Sequence, residues 1–279
     1  MVAENGEKAR EEDIDLSEDQ KGEVDEREAA SPIVVHEVIR RAGDEELGRP
    51  AGSLLASGLV GGAAISVSIL GQGTIEHLLP KAGWAPLVAS FGYCLGFLIV
   101  ILGRLQLFTE STLSAVIPVA THFSPGNLGR LLRLWGLVLG ANLAGTLLVA
   151  ALVDNVLIGS AEGREAMLAV SRKLLEHGWT DTLKLGIPAG FLVAAIPWSL
   201  PAAQGQQFWV VVALTYLIAL GGFTHVVAGS GEAWLLALSG EASWGRATGG
   251  MILPALIGNV IGGTGMFALL AHIQVRQEL

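Results

Sequence analysis

The chain has 279 residues, 51% of them hydrophobic, with a mean hydropathy of +0.55, well above that of a soluble domain. Its net charge of −9 lies wholly in Met1–Arg49, which holds 16 acidic and 7 basic residues; residues 50–279 carry ten of each. No basic patch suits nucleic acid, and a single cysteine, Cys94, excludes an intrachain disulfide or a cysteine metal site.

Residues 1–30 are rich in Glu and Asp and lack aromatics, which predicts a disordered acidic tail. They carry no signal-peptide pattern, so the first span is expected to direct insertion. Ser31-Pro32 reads as a helix start. Over 31–49, Ile33, Val34, Val38 and Ile39 stand among His36, Glu37, Arg40 and Arg41. That pattern suits an amphipathic helix, lying either on the membrane surface or against the protein's own cytoplasmic face.

Residues 50–279 then predict an all-α membrane domain with six transmembrane helices, Leu54–Gly71, Pro86–Gly103, Leu131–Val153, Leu183–Leu200, Phe208–Gly222 and Gly249–Ala271. Short helical pieces are expected after the second and fifth, at Leu113–Ala120 and Glu232–Leu238. Arg40, Arg41, Arg49, Arg130, Arg133 and Arg276 flank the spans on one side, where the opposite short loops hold only Lys81 and Arg246. The positive-inside rule therefore puts both termini in the cytoplasm.

Two of these spans are interrupted. Gln106-Leu107-Phe108-Thr109-Glu110 and Gly222-Phe223-Thr224-His225 place polar residues and glycine where lipid tolerates neither. Non-helical backbone at this depth survives only where protein or a water-lined cavity satisfies it, so broken second and fifth helices around a permeation site are expected. The chain also echoes itself. Phe108-Thr109 recurs as Phe223-Thr224 after 115 residues, and Asn142-Leu143-Ala144-Gly145-Thr146 resembles Asn259–Thr264 after 117. Three spans per half make this an inverted 3+3 repeat. Steps of small residues, Gly58…Gly62, Gly92…Gly96, Gly136…Gly140 and Gly258…Gly262, predict close helix contacts.

Polar groups in lipid need a reason. His225 follows a Gly-Gly break in a stretch with no other ionisable side chain but Tyr216. It is either a hydrogen-bonded structural group or a ring exposed to whatever passes, with Thr109 as its hydrogen-bonding partner. Thr224 joins this centre. Asn142 and Asn259 are expected to tie down the broken backbone. Arg104 and Glu110 flank the first break as a charged clamp, paired with each other or with Glu110 at the interface. His77, His122, His177 and His272 fall near span ends without metal spacing. Neither metal nor cofactor is expected, and no catalytic triad or phosphate loop points to an enzyme.

At these residues the chain resembles the formate/nitrite transporter family, over most of residues 35–275. Gly92-Tyr93-Cys94-Leu95-Gly96-Phe97 leading to Leu107-Phe108-Thr109 is similar to its second-helix pattern, and Leu139–Gly145 to its third-helix Gly-Asn motif. Gly222–Ala228 resembles the broken fifth helix with its central histidine, and Leu253–Gly263 the last-helix motif. The resemblance implies an aquaporin-like protomer in a homopentamer, with one pore per subunit for small monovalent anions or their weak acids. It makes His225 the central histidine and Thr109 its partner. It puts Leu107 and Ile218 at a cytoplasmic constriction and Tyr93, Phe97 and Val193 along the opposite, central and periplasmic, stretch, with Phe108 and Phe223 counted among the constriction residues. Lys173 stands next to the position of a vestibule lysine. The chain departs from the family at Arg104-Leu105-Gln106, where Gly-Ala-Glu or Gly-Ala-Asp is usual, and at Gly190 and Gly229, which replace asparagines. With the acidic extension, these features resemble the YfdC-type branch. Two other readings stay open: a pore for neutral solutes, and a non-transporting scaffold whose acidic tail binds a partner.

Overall fold

The computed structural model describes Ser17 and residues 30–276; the predicted acidic tail lies, but for Ser17 and Ala30, outside the described residues. Among them every regular element is helical, and the described residues from Pro32 onward form one compact unit. The helices are α1 (Pro32–Gly48), α2 (Ala51–Leu78), α3 (Ala85–Leu102), α4 (Phe108–Ser114), α5 (Val116–Thr121), α6 (Pro125–Asp154) and α7 (Ala161–Ser171). After a 3-10 turn at Arg172–Glu176 come α8 (Trp179–Ser199), α9 (Gln207–Leu220), α10 (Val226–Leu238) and α11 (Arg246–Val275).

Five of these, α2, α3, α6, α8 and α11, are long and apolar enough to cross a membrane. The fifth predicted span differs: α9 has 14 residues. At 1.5 Å per residue it reaches roughly 21 Å, short of a hydrocarbon core of about 30 Å. It stops because Gly221-Gly222 turns the chain, with Gly222 at φ +61°. The two short pieces also begin earlier than the sequence suggests. α4 starts at Phe108 rather than Leu113 and α10 at Val226 rather than Glu232, each directly after its break. Their N-terminal amides find side-chain acceptors at once, so no longer irregular stretch is required.

Helices meet closely where glycine allows it. A Cβ on Gly62 would land on the Asn142 backbone, one on Gly92 on Gly71 and Gln72, and one on Gly262 on the Ile187 carbonyl. The predicted Gly136…Gly140 step behaves otherwise, since neither residue meets an atom within 4 Å. Both are exposed on α6.

α1 packs on this body. Val35, His36, Ile39, Gly43 and Leu47 recur at three and four residues and form its buried face. A Cβ at Gly43 would strike the Ser114 carbonyl oxygen, so only glycine lets α1 approach α4 this closely. The other face carries the Arg40–Glu37 and Arg40–Asp44 ion pairs, at 2.7 and 2.6 Å. His36 is fully buried, and its Nε2 lies 3.1 Å from Nδ1 of His272 on α11.

Burial, and next the ring of His272, pull the His36 pKa below the ordinary 6.5. A histidine whose folded pKa is depressed stabilises its docked state above the free value and loses that contribution as pH falls. Amide hydrogen exchange of α1 in detergent should therefore be slow at pH 7.5 and faster at pH 5.5, after correction for intrinsic rates. His36→Leu should flatten the difference; an equal response in both proteins would remove His36 as its source.

Candidate functional site

The two breaks share one construction. At the end of α3 the amides of Gly103, Arg104 and Leu105 bond to the carbonyls of Ile99, Ile101 and Val100. At the end of α9 Gly221, Gly222 and Phe223 bond to Leu217, Ala219 and Ile218. Each helix closes with a six-residue return bond and one left-handed residue, as in a Schellman cap. That residue is Gly222 (φ +61°) in one break and Arg104 (φ +51°) in the other. The chain then extends, through Leu107 (φ −121°, ψ 124°) and His225 (φ −102°, ψ 123°), into α4 and α10.

An asparagine braces each extended segment. Asn142 on α6 accepts the Phe108 amide at 2.9 Å and donates to the Gly58 and Gln106 carbonyls at 2.7 and 2.9 Å. Asn259 on α11 accepts the Val226 amide at 2.8 Å and donates to the Gly186 and Thr224 carbonyls at 2.8 and 2.9 Å. Both asparagines are fully buried, and each amide makes three bonds to backbone, two of them to break groups that no helical bond satisfies.

This correspondence gives the two breaks a common register. It pairs Gln106 with Thr224, Leu107 with His225 and Phe108 with Val226. The Phe-Thr echo is therefore not the structural repeat: Phe108-Thr109 opens a helix, whereas Phe223-Thr224 precedes one. The asparagine echo is the structural one.

Thr109 and His225 meet where the two breaks come together. Thr109 Oγ1 lies 2.7 Å from His225 Nε2, with exposures of 0 and 1%. The Ala228 amide donates to His225 Nδ1 at 3.1 Å, which caps α10 and leaves the proton of the neutral ring on Nε2. Nε2–H then donates to Thr109 Oγ1, and the threonine hydroxyl proton has no acceptor among the described hydrogen bonds. Phe97 packs edge-on against the imidazole, ring centroids 5.0 Å apart, and Tyr93 follows at 5.2 Å from Phe97. Thr224 takes no part in this contact. Its hydroxyl donates to the Thr182 carbonyl at 2.6 Å and ties the second break to α8.

Cavities open on both sides of the pair. One, about 750 Å³, is lined by α1 residues, Arg104, Gln106, Leu107, Glu110 and the end of α8. The other, about 310 Å³, reaches Thr224 and His225 past Tyr93, Ile218 and Phe223. Tyr93 lies on the first half of α3 and Leu102 at its end, so the cavities sit at opposite ends of that helix. α9 runs the other way, with Gln207 in the first cavity and Leu220 in the second.

Several expected groupings change. Leu107 and Ile218 do not form one constriction, because Leu107 closes the α1-side cavity and Ile218 lines the other. The antiparallel course of α9 carries Ile218 to the far end. Val193 is fully buried on α8 and lines neither cavity, and Phe108 is buried against Trp135 at 5.6 Å. Arg104 and Glu110 share a cavity, yet no ion pair joins them among the described residues. Lys173 lines the second cavity, held by Glu76 at 2.7 Å. The sequence reading passed over Glu46, whose carboxylate accepts the Ser114 hydroxyl at 2.8 Å in the α1-side cavity, and Glu232, which faces the second.

The model of the Formate/nitrite transporter family matches residues 34–273. The chain belongs to the formate/nitrite transporter family. It is 36% identical to the inner membrane protein YfdC of Escherichia coli over 279 residues, covering 100% of this chain and 88% of that one. Against the formate channel FocA of Haemophilus influenzae it is 26% identical, over 62% of each chain. A solved pentameric formate channel with formate bound superposes with TM-score 0.68 at 19% identity, covering 81% of this chain and 98% of that one, a likeness of fold.

Replacing either brace, Asn142→Ala or Asn259→Ala, should orphan one buried amide and one carbonyl of the break and cost about 1–3 kcal/mol for each group left unsatisfied. The thermal midpoint in detergent should fall clearly in both; an unchanged midpoint in either would show that the break is held by something else. Arg104→Gly relieves a left-handed side chain and should raise it, by about 1 kcal/mol.

Proposed function

We propose that this family member is a channel-like transporter for a small monovalent anion or its neutral weak acid, through a pore in each subunit. The Thr109–His225 hydrogen bond carries this reading, because it joins the two helix breaks between cavities at opposite ends of α3. FocA of Haemophilus influenzae and BtFdhC of Bacillus thuringiensis, to which the chain is similar, are formate channels, and this supports the solute class.

Counting α3 with α4 and α9 with α10 as broken crossings makes six spans in two inverted halves. The opposite courses of α3 and α9 and the matching asparagine braces support this. The arginine-flanked side, with both termini, then faces the cytoplasm of a bacterial inner membrane, and α1 lies at that face. A homopentamer is supported by the solved channel named above and by the open Gly136…Gly140 step, which a neighbouring subunit would cover.

An ion entering the greasy passage beside Phe97 and Phe223 loses its hydration, which penalises the charged form. Uptake of a proton by the weak acid before crossing removes most of that cost. His225 acts here as a neutral hydrogen-bond donor. Its Nδ1 is occupied by the Ala228 amide, so protonating that atom would break the cap. When a solute arrives, Nε2–H turns to it and the Thr109 hydroxyl offers the second donor.

Proteoliposome uptake of labelled formate, nitrite, acetate, lactate and hydrosulfide tests this. His225→Asn keeps an acceptor for the Ala228 amide but lacks Nε2–H, and should lower flux of the preferred solute at least about tenfold, as losing a charge-assisted or buried donor implies. Equal fluxes for every solute in wild type and variant would defeat the role of His225.

A further inference from the structure

The two breaks share a register, yet they close their helices with different residues. Gly222 takes the left-handed step at φ +61°, where glycine has no side chain to clash. Arg104 takes it at φ +51°, a conformation that penalises any residue with a Cβ. The step itself needs no arginine, since glycine closes the other helix. A residue kept in place against backbone strain points to the use of its side chain. Arg104 is exposed and lines the cavity of about 750 Å³ on the α1 side, which Leu107 closes. Among the described residues no hydrogen bond or ion pair engages its guanidinium. Glu45, Glu46 and Glu110 line the same cavity, and none of them pairs with it. Glu46 is held instead by the Ser114 hydroxyl at 2.8 Å and by Gln106. Arg49, the other cation of the wall, likewise forms no ion pair among the described residues.

We propose that Arg104 is a solute-binding residue of the α1-side cavity, gripping a planar oxyanion, a carboxylate or nitrite, through two parallel N–H···O bonds before it meets Leu107. A guanidinium presents its donors as a rigid fork that matches two oxygens on one carbon or nitrogen atom. A single-atom anion such as chloride fills only one prong. The inference rests on the transport reading and names the residue that selects the solute at this mouth. Leu107 and then the Thr109–His225 contact stand beyond it. Because no protein carboxylate holds the guanidinium, an anion arriving there displaces water alone. Val38, Ile39 and Ala42 of α1 line the same cavity and keep part of the bulk solvent away, which strengthens an ion contact.

Arginine-specific modification reads the site directly. Phenylglyoxal treatment of the full chain in detergent, followed by peptide mass spectrometry, gives the modification rate at Arg104. Saturating formate should slow that rate at least about fivefold, through the forked contact, whereas chloride at equal ionic strength should not. Equal rates in the two salts would overturn the proposal, and this outcome needs no variant to fold. In proteoliposomes Arg104→Gly, whose backbone is relieved, should raise the KM for formate about tenfold and lower the maximal flux by less, the scale of one charge-assisted fork. Arg104→Lys keeps the charge without the fork and should leave KM at least about fivefold above wild type. A wild-type KM in either variant would overturn the forked grip. Protection of Arg104 by formate without any formate flux would instead bring down the transport reading and leave the binding site standing.

Discussion

Two buried asparagine amides make this fold possible. Helix breaks at membrane depth expose amides and carbonyls that lipid cannot satisfy, and a group left unpaired there is costly. Asn142 and Asn259 each answer with one acceptor and two donors, reaching an amide that starts a half-helix, a carbonyl in the break and a carbonyl on a neighbouring long helix. Each brace therefore sets the position of three chain segments at once. Close glycine contacts do the rest: Gly62 against the Asn142 backbone, and Gly190 against that of Asn259, bring the partner helices within reach of the amides. Gly190 is thus required by packing, and a larger residue there would push α8 off α11.

The class of protein and the places where helices break were legible, because a polar or glycine interruption in an apolar run has few physical explanations. The asparagines were legible for the same reason. Less visible was register. Phe-Thr recurs as a word, but the asparagine bonds align Leu107 with His225 three residues away, as does the left-handed backbone of Arg104 and Gly222. The resemblance set Ile218 beside Leu107, whereas α9 runs opposite to α3 and its last turns line the other cavity. Glu232 escaped notice because a carboxylate near a span end reads as interfacial. The fold brings it to the cavity that reaches His225, which no periodicity records.

The central contact gains its chemistry from how His225 is held. A free imidazole has two interchangeable nitrogens; here the backbone takes one. With Nδ1 accepting from Ala228, ring orientation and tautomer are set together, and Nε2–H points at Thr109. Phe97 against the ring edge limits tilting and keeps bulk water away. A donor that is dry and already oriented needs little reorganisation when a solute oxygen arrives, which is the advantage of a preformed site over an exposed one.

The likeness of the two breaks also bears on why only one of them sets an imidazole before its half-helix. Leu107 and His225 occupy the same step, each the extended residue before a half-helix. At His225 the side chain caps its helix through Ala228; at Leu107 no side-chain cap exists, and the amides of Glu110 and Ser111 turn back to the Leu107 carbonyl. Both solutions satisfy the backbone, so folding does not require histidine at that step. What histidine adds is Nε2, and it is spent on Thr109, a residue of the other half, where the equivalent position in its own half is Val227. The polar contact at the centre is thus a bond between halves: one contributes the ring, the other the hydroxyl. Each break is held by its own asparagine, and the Thr109–His225 hydrogen bond ties one to the other.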